Sequence, residues 1–393
     1  MTSKPPFDRQ SARMSDLLVA SFSGEWGKAE GPVLTPVLRT ANFNEDGTLD
    51  YANPAMRCIT DKKVQAKKMR RGDIILEKSG GTPNRSVGIL AYYDSDDLAL
   101  CSNFNQVLRF DECKVVPRYA FYQLRWLKGR NAFDRYTRKT TGLQNLEMKR
   151  FGELELLIPE PSTQHRIADT LDKILDTQRQ LDGQLTKLDS LVKSRFVEMF
   201  GDPVSNTMDW EISTIKETAV TYGDGPFGSN LKSSDYVDEG VRVIRLGNIL
   251  TGSFSERDRS FVSFEKYERL KKYECKPGEV VIGTLGDPLL RACIVPDFGV
   301  PSIHKADCMY YETDKSKVLP VFAMSVINQP TMLKRAMLDM HGQTRARINS
   351  TQVGNLPMML PPLALQQEFA DFVNRVDKLR FVFWSFLSVG AAR

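Results

Sequence analysis

Apolar positions along the chain follow two periods in turn. The continuous β-branched runs "DIILE", Asp73 to Glu77, and "EVVIG", Glu279 to Gly283, each follow a turn glycine and predict strands. "QVLRF" from Gln106 and "CMYYE" from Cys308 read the same way. "PRYAFYQLRWL" from Pro117 and "PVFAMSVIN" from Pro320 predict helices, because proline suits a first helical turn. The regular strand-helix alternation of a parallel doubly wound sheet is missing, so each globular half is mixed α and β. A different period then takes over. Between Gln164 and Phe200, apolar residues stand at Ile167, Leu171, Ile174, Leu181, Leu185, Leu188, Val192 and Met199, with Gln178 and Arg195 interrupting. This three-and-four spacing predicts a coiled-coil helix about 50 Å long, ended by "FGDP", Phe200 to Pro203. The pattern returns at Phe369, Phe372, Val376, Leu379, Phe383 and Phe386. Neither helix can bury its stripe alone, and two antiparallel helices from one chain would cover both.

The chain also repeats itself. Arg39 and Asn42 match Arg245 and Asn248, Gly72 and Asp73 match Gly278 and Glu279, Gly80 matches Gly286, and Arg85 matches Arg291, all 206 positions apart. The register then drifts, with Pro117 and Ala120 meeting Pro320 and Ala323. It closes on "IPEPSTQHRIAD" against "LPPLALQQEFAD", where Pro159, Gln164, Ala168 and Asp169 face Pro361, Gln366, Ala370 and Asp371. An ordered series of this kind is a duplicated domain, and its period is too long for a solenoid. The fold class expected is α+β: two repeated mixed α/β domains separated by two long antiparallel coiled-coil helices. Domain 1 is expected over residues 1–160, the spacer helix over 161–201, domain 2 over 202–361 and the second helix over 362–393.

Composition changes this picture little. The 393 residues carry a net charge of +5, which is compatible with a polyanionic partner and does not require one. The longest apolar runs fall short of the ~20 residues of a membrane span, and the first thirty residues lack a secretion signal, so a cytoplasmic protein is expected. Six scattered cysteines form no Cys-x-x-Cys pair, and His304 with Cys308 makes at most half a metal site, so no metal is expected.

The order of domain, proline-introduced helix, domain, proline-introduced helix resembles the specificity subunits of type I restriction-modification systems. "DGPFGSNLKSSDYVDEGVRVIRLGNI", Asp224 to Ile249, resembles the opening of that family's target-recognition domains. The passage from Pro161 to Asp172, and its counterpart from Pro362, resemble the starts of its helical regions. The resemblance covers essentially the whole chain. It implies a non-catalytic subunit that reads a bipartite double-stranded DNA target, one half-site per domain, with the paired helices setting the gap. It further implies two methyltransferase (modification) subunits as partners, which methylate adenine, and motor-nuclease (restriction) subunits. S-adenosylmethionine, ATP and Mg would sit in those partners, and this chain would hold no cofactor.

Several segments have the chemistry to touch DNA. In "TRKTTGLQN" and "HGQTRARIN", basic side chains alternate with Gln, Thr and Asn, which suits phosphate and base-edge contacts. These segments nominate Lys139, Thr140, Thr141, Gln144 and Asn145 in the first half, and Gln343, Thr344, Arg345 and Arg347 in the second. "GSNLKSS" adds Ser229, Asn230 and Lys232 on a flexible backbone. Arg85 and Arg291 suit either a phosphate clamp or an ion pair common to both domains. Arg39/Asn42 and Arg245/Asn248 sit at strand ends and suit structural hydrogen bonds. The basic cluster Lys62, Lys63, Lys67, Lys68, Arg70 and Arg71 reads as a solvated helix face, or as a phosphate track if it faces a duplex.

Catalytic motifs are missing. "NPAM" at Asn53 lacks the second proline and the aromatic residue of an adenine methyltransferase motif, and no lysine follows a glycine-rich phosphate loop. "ECK" at Glu274 imitates the end of a nuclease carboxylate motif, but Pro296-Asp297 lies on the wrong side of it. A stand-alone DNA-binding regulator or coiled-coil adaptor is the alternative reading, and a cryptic enzyme the third. The two halves differ in their candidate reading loops, so two unlike half-sites are expected.

Overall fold

The computed structural model describes residues 10–82, 85–140, 143–338 and 347–391. The chain divides into two compact units, Met1–Gln180 and Leu181–Arg393.

In the first unit a four-stranded antiparallel sheet runs in the order Leu18–Ser23, Asn105–Phe110, Ile74–Glu77, Leu90–Tyr92. The second unit repeats it as Ala219–Asp224, Cys308–Thr313, Val280–Gly283, Arg291–Ile294. Strands Ile74–Glu77 and Val280–Gly283 are buried at all four positions. Both faces of each strand are therefore covered, which is why the sequence reads there as an unbroken apolar run. A smaller sheet joins Leu34–Leu38 to Ala55–Cys58 and, in parallel, to Leu100–Cys101. Its counterpart joins Val241–Ile244 to Ser260–Val262 and, in parallel, to Ser302–His304. A two-strand ribbon, Gln10–Arg13 with Glu155–Ile158, recurs as Ile212–Thr214 with Pro357–Met359.

The repeated polar residues are structural pins. The Asn42 Oδ1 accepts the Arg39 amide at 3.0 Å, and its Nδ2 donates to the carbonyls of Asp50 and Asn53. Asn248 does the same for the Arg245 amide at 2.9 Å and the carbonyls of Ser255 and Asp258. Gln164, buried at the head of the first long helix, accepts the Val116 amide at 2.8 Å and donates to the Pro159 carbonyl at 2.7 Å. Gln366 accepts the Leu319 amide at 2.9 Å and donates to the carbonyls of Pro361 and Lys317. Val116 and Leu319 are the N-cap residues of helices Pro117–Gly129 and Pro320–Ile327. Each glutamine thus caps one helix while it fastens the start of another.

The first long helix runs over Pro161–Phe200 and the second over Leu363–Ala391. The apolar stripe of the first divides between the units. Ile167, Ala168, Leu171 and Leu175 pack on the first core, while Ile174 turns outward at 55% exposure. Ile174 and Leu175 are both apolar, and the 3.6-residue twist selects the one four positions after Leu171. Arg118 and Tyr122 both donate to Asp172, and Arg179 pairs with Asp46 at 2.8 Å. Leu181, Leu185 and Leu188 are half-buried, and Val192, Phe196, Met199 and Phe200 join the second core.

Within the second unit the two helices lie antiparallel. Arg195 pairs with Glu368 at 2.9 Å, and Arg380 with Asp189 at 2.6 Å. Beside the Arg195–Glu368 pair, Phe196 and Phe200 pack on Phe369 and Phe322 at ring separations of 4.8–5.7 Å. Val373 and Val376 are also buried, Phe372 is half-buried, and Leu379 is 52% exposed. The side chains of Phe383 and Phe386 lie outside the described residues.

Buried cysteines and His304 occupy the core of the second unit. Among the described residues no group of three or more His, Cys, Asp or Glu could hold a metal ion, and no helix is long and apolar enough to cross a membrane. Burial pushes His304 down to about 4, with its Nδ1 2.9 Å from the Tyr273 carbonyl. An unfolded histidine takes its proton near pH 6.5, so between about pH 6.5 and 4 the unfolded chain binds more protons than the folded one. The contribution of His304 is therefore complete above pH 6.5 and declines as pH falls toward 4, by roughly 3 kcal/mol in all. Urea titrations at pH 7.5 and 4.5 should show this loss in the unfolding of the second unit, and His304→Gln should reduce it. An equal midpoint at both pH values in the wild-type chain would contradict it.

Candidate nucleic-acid interface

In the first unit the segment nominated for base reading folds as a hairpin, Thr137–Thr140 against Leu143–Leu146. A third strand, Ser79–Gly81, pairs with its inner edge, so that Asn145 faces Ser79 and Gln144 faces Gly81. Alternation along the strand decides which side chains are available. Gln144 is 7% exposed and donates to the Thr82 carbonyl at 2.8 Å, so its amide NH2 serves the fold. Asn145 is half-buried and lies opposite Arg138, which is exposed. Lys139 and Thr140 belong to the outer strand, whereas Thr141 lies outside the described residues. Beside the hairpin is a groove of about 410 Å³ lined by Trp26, Arg39, Ser79, Arg85, Asn103 and Phe104, among others. Phe104 is 53% exposed, and the Arg57 guanidinium stacks 3.9 Å above the Trp26 ring.

Arg85 stands at the edge of this groove. Its Nη1 and Nη2 donate to both oxygens of Glu77, at 3.0 and 2.6 Å, and the hydrogen bonds to Glu77 raise the guanidinium pKa above its ordinary value. Among the described residues Arg291, its repeat, forms no ion pair with an acid. It donates instead to the carbonyls of Ile249, Leu246, Leu285 and Pro288. The two matched arginines therefore share a place in the fold and differ in their partners.

The second unit brings together two segments about 120 positions apart in sequence. Loop Asp224–Asn230 packs closely at Gly225, where a Cβ would meet the Lys305 backbone at 2.4 Å, so only glycine fits. Two residues on, Phe227 is 45% exposed, and the Arg347 guanidinium lies 5.5 Å from its ring centre. Arg347 also pairs with Asp307 at 2.8 Å and forms a backbone bridge with Leu285. Asn230 and Lys232 are exposed close by in sequence, and the Lys232 amide donates to Asp235. Gln343, Thr344 and Arg345 lie outside the described residues. So does the side chain of Ser229. The basic cluster near residue 65 is partly spent on acids: Lys63 and Lys67 reach Glu25 at 3.3 and 3.1 Å, and Arg71 reaches Asp96 at 2.9 Å.

Sequence reasoning passed over Arg138, Phe104 and Phe227. Arg138 carried a signal, since it lies within "TRKTTGLQN". The exposure of the two phenylalanines had none, because an isolated aromatic residue reads as core.

Residues 34–188 match the family model for the type I restriction modification DNA specificity domain. Over 277 residues the chain is 21% identical to the type I restriction enzyme MjaVIII specificity subunit of Methanocaldococcus jannaschii, covering 66% of this chain. Both likenesses point to the type I specificity subunits. The match spans 63% of the length of that relative. The crystal structure of the S subunit of a type I restriction-modification system from M. genitalium covers 99% of this chain and 94% of its own, at a TM-score of 0.58 and 16% identity. A structure from work on complex assembly and conformational transition of the type I system covers 98% of this chain and 95% of its own, at 0.52 and 14%. These two likenesses show a shared fold over both units.

Proposed function

We propose that this chain is the DNA-reading, non-catalytic subunit of a cytoplasmic type I restriction-modification complex, and that its two units read the unlike halves of an asymmetric bipartite target. One observation carries this reading. In both units a segment rich in Arg, Asn and Gln is paired to the same turn of the duplicated fold: Asn145 to Ser79 in one, Arg347 to Leu285 in the other. Arg and Lys there suit guanine edges and phosphates, and Asn suits adenine. Two modification subunits would dock on the helices and methylate adenine with S-adenosylmethionine, and restriction subunits would cut unmodified DNA with ATP and Mg. The cofactors belong to those partners.

The test is to delete the gene and map N6-methyladenine across the genome. Loss of one split, non-palindromic motif is expected, and an unchanged methylome would overturn the proposal. The nominated residues should then differ in kind. Replacing Arg345 and Arg347 by Ala should relax one half-site, with about 1–3 kcal/mol lost per good base contact. Lys139→Ala should weaken binding to all sequences and reduce the salt dependence. If the arginine change altered only the salt dependence, the second loop would not be a base reader.

A further inference from the structure

We propose that Arg85 and Arg291 are positioning residues, each fastening the turn to which its unit's reading segment is paired. This rests on the reading of those segments given above. In the first unit the segment from Lys78 to Thr82 carries the hairpin: Ser79 and Gly81 pair with Asn145 and Gln144, the Leu146 amide donates to the Lys78 carbonyl at 2.8 Å, and Gln144 donates to the Thr82 carbonyl. Thr82 and Arg85 close the turn by exchanging backbone hydrogen bonds of 2.9 and 3.1 Å. The start of the turn is held by the Lys78 and Ser79 amides, which donate to the Phe104 carbonyl, and its far end by Glu77, 1% exposed at the end of strand Ile74–Glu77 and gripped through both oxygens by Arg85. Arg85 also donates to the Gly80 carbonyl at 3.0 Å, across a glycine held at φ +110°.

The second unit solves the same problem with other atoms. Gly283 stands where the repeat would place an acid, and Arg291 ties its turn to backbone carbonyls on both sides. Four of the five guanidinium N–H groups are engaged in these bonds, which leaves little for a phosphate. Gly286 repeats the positive φ, at +102°. The segment beyond residue 346 joins this turn through the Leu285–Arg347 bridge and the Ile348 amide, which donates to Thr284 at 3.0 Å. A phosphate contact would give both arginines the same exposed role. The observed geometry gives them the same fastening role with different partners.

Hydrogen exchange on the full chain tests this without DNA. Glu77→Gln, a near-isosteric change, and Arg85→Gln should each speed exchange at the Leu146 amide about tenfold and leave Ile348 unchanged. The double variant should be no worse than the poorer single one, because both remove one contact. Arg291→Lys should speed exchange at Ile348 alone. Unchanged exchange at Leu146 in both single variants would overturn the proposal. In cells, Glu77→Gln should relax one half-site of the methylation motif and keep the other. If Arg85→Gln lowered the salt dependence of DNA binding while Glu77→Gln did not, Arg85 would be a phosphate contact and the proposal would fall. A deletion strain with an unchanged methylome would instead sink the DNA-reading function, whatever the exchange data show.

Discussion

Inserting four helix-forming residues beside Gly183 should widen the gap between the two half-sites by one or two base pairs and leave both half-site sequences as they were. Four residues add about 6 Å to a helix, and base pairs rise about 3.4 Å each. Gly183 suits the insertion because a Cβ there would meet no atom within 4 Å, so a side chain at that point has room. It lies between Leu175, held on the first core, and Val192, held on the second. The insertion shifts the half-buried Leu181, Leu185 and Leu188 as a stutter does, and some loss of stability should accompany it. Methylome sequencing reads the result directly. Full activity with the original gap would mean that this helix does not set the distance, even with the DNA-reading proposal intact.

The second large effect concerns stability. Gln366→Leu should destabilise the second unit by about 3–5 kcal/mol, because it strands the Leu319 amide and the carbonyls of Pro361 and Lys317 in a buried site. Gln164→Leu should act similarly on the first unit, through Val116 and Pro159. Each unit has its own core, so unfolding need not be a single transition, and the two variants should lower different ones. Equal shifts of both transitions by either variant would contradict this. A shift of Gln366→Leu under about 0.5 kcal/mol would mean that the glutamine is no cap.

These two glutamines show what was legible in the sequence. Their repetition, with that of Asn42 and Asn248, revealed the duplicated domain, and the short apolar runs located the buried strands. Their work was not legible, since a glutamine reads alike whether it meets water or a helix end. The helix stripe was legible as a stripe, but Ile174 and Leu175 are adjacent and apolar, and only packing selects Leu175. The candidate site was less legible. Gln144 was expected to meet DNA, yet strand alternation turns it inward, where its NH2 serves Thr82. Arg347 and Phe227 meet across a fold that no local pattern foretells. Arg85 and Arg291 match in sequence, while what each one holds depends on residue Glu77 or on main-chain atoms.

That last difference has an evolutionary side. A fastening made on carbonyl oxygens survives almost any change of side chain in the surrounding loop, because every residue supplies the same acceptor. One made on Glu77 survives only while two positions mutate together. The fastening in the second domain is therefore the more tolerant of substitution at the positions that supply its acceptors, whereas the first must keep its acid and base in step.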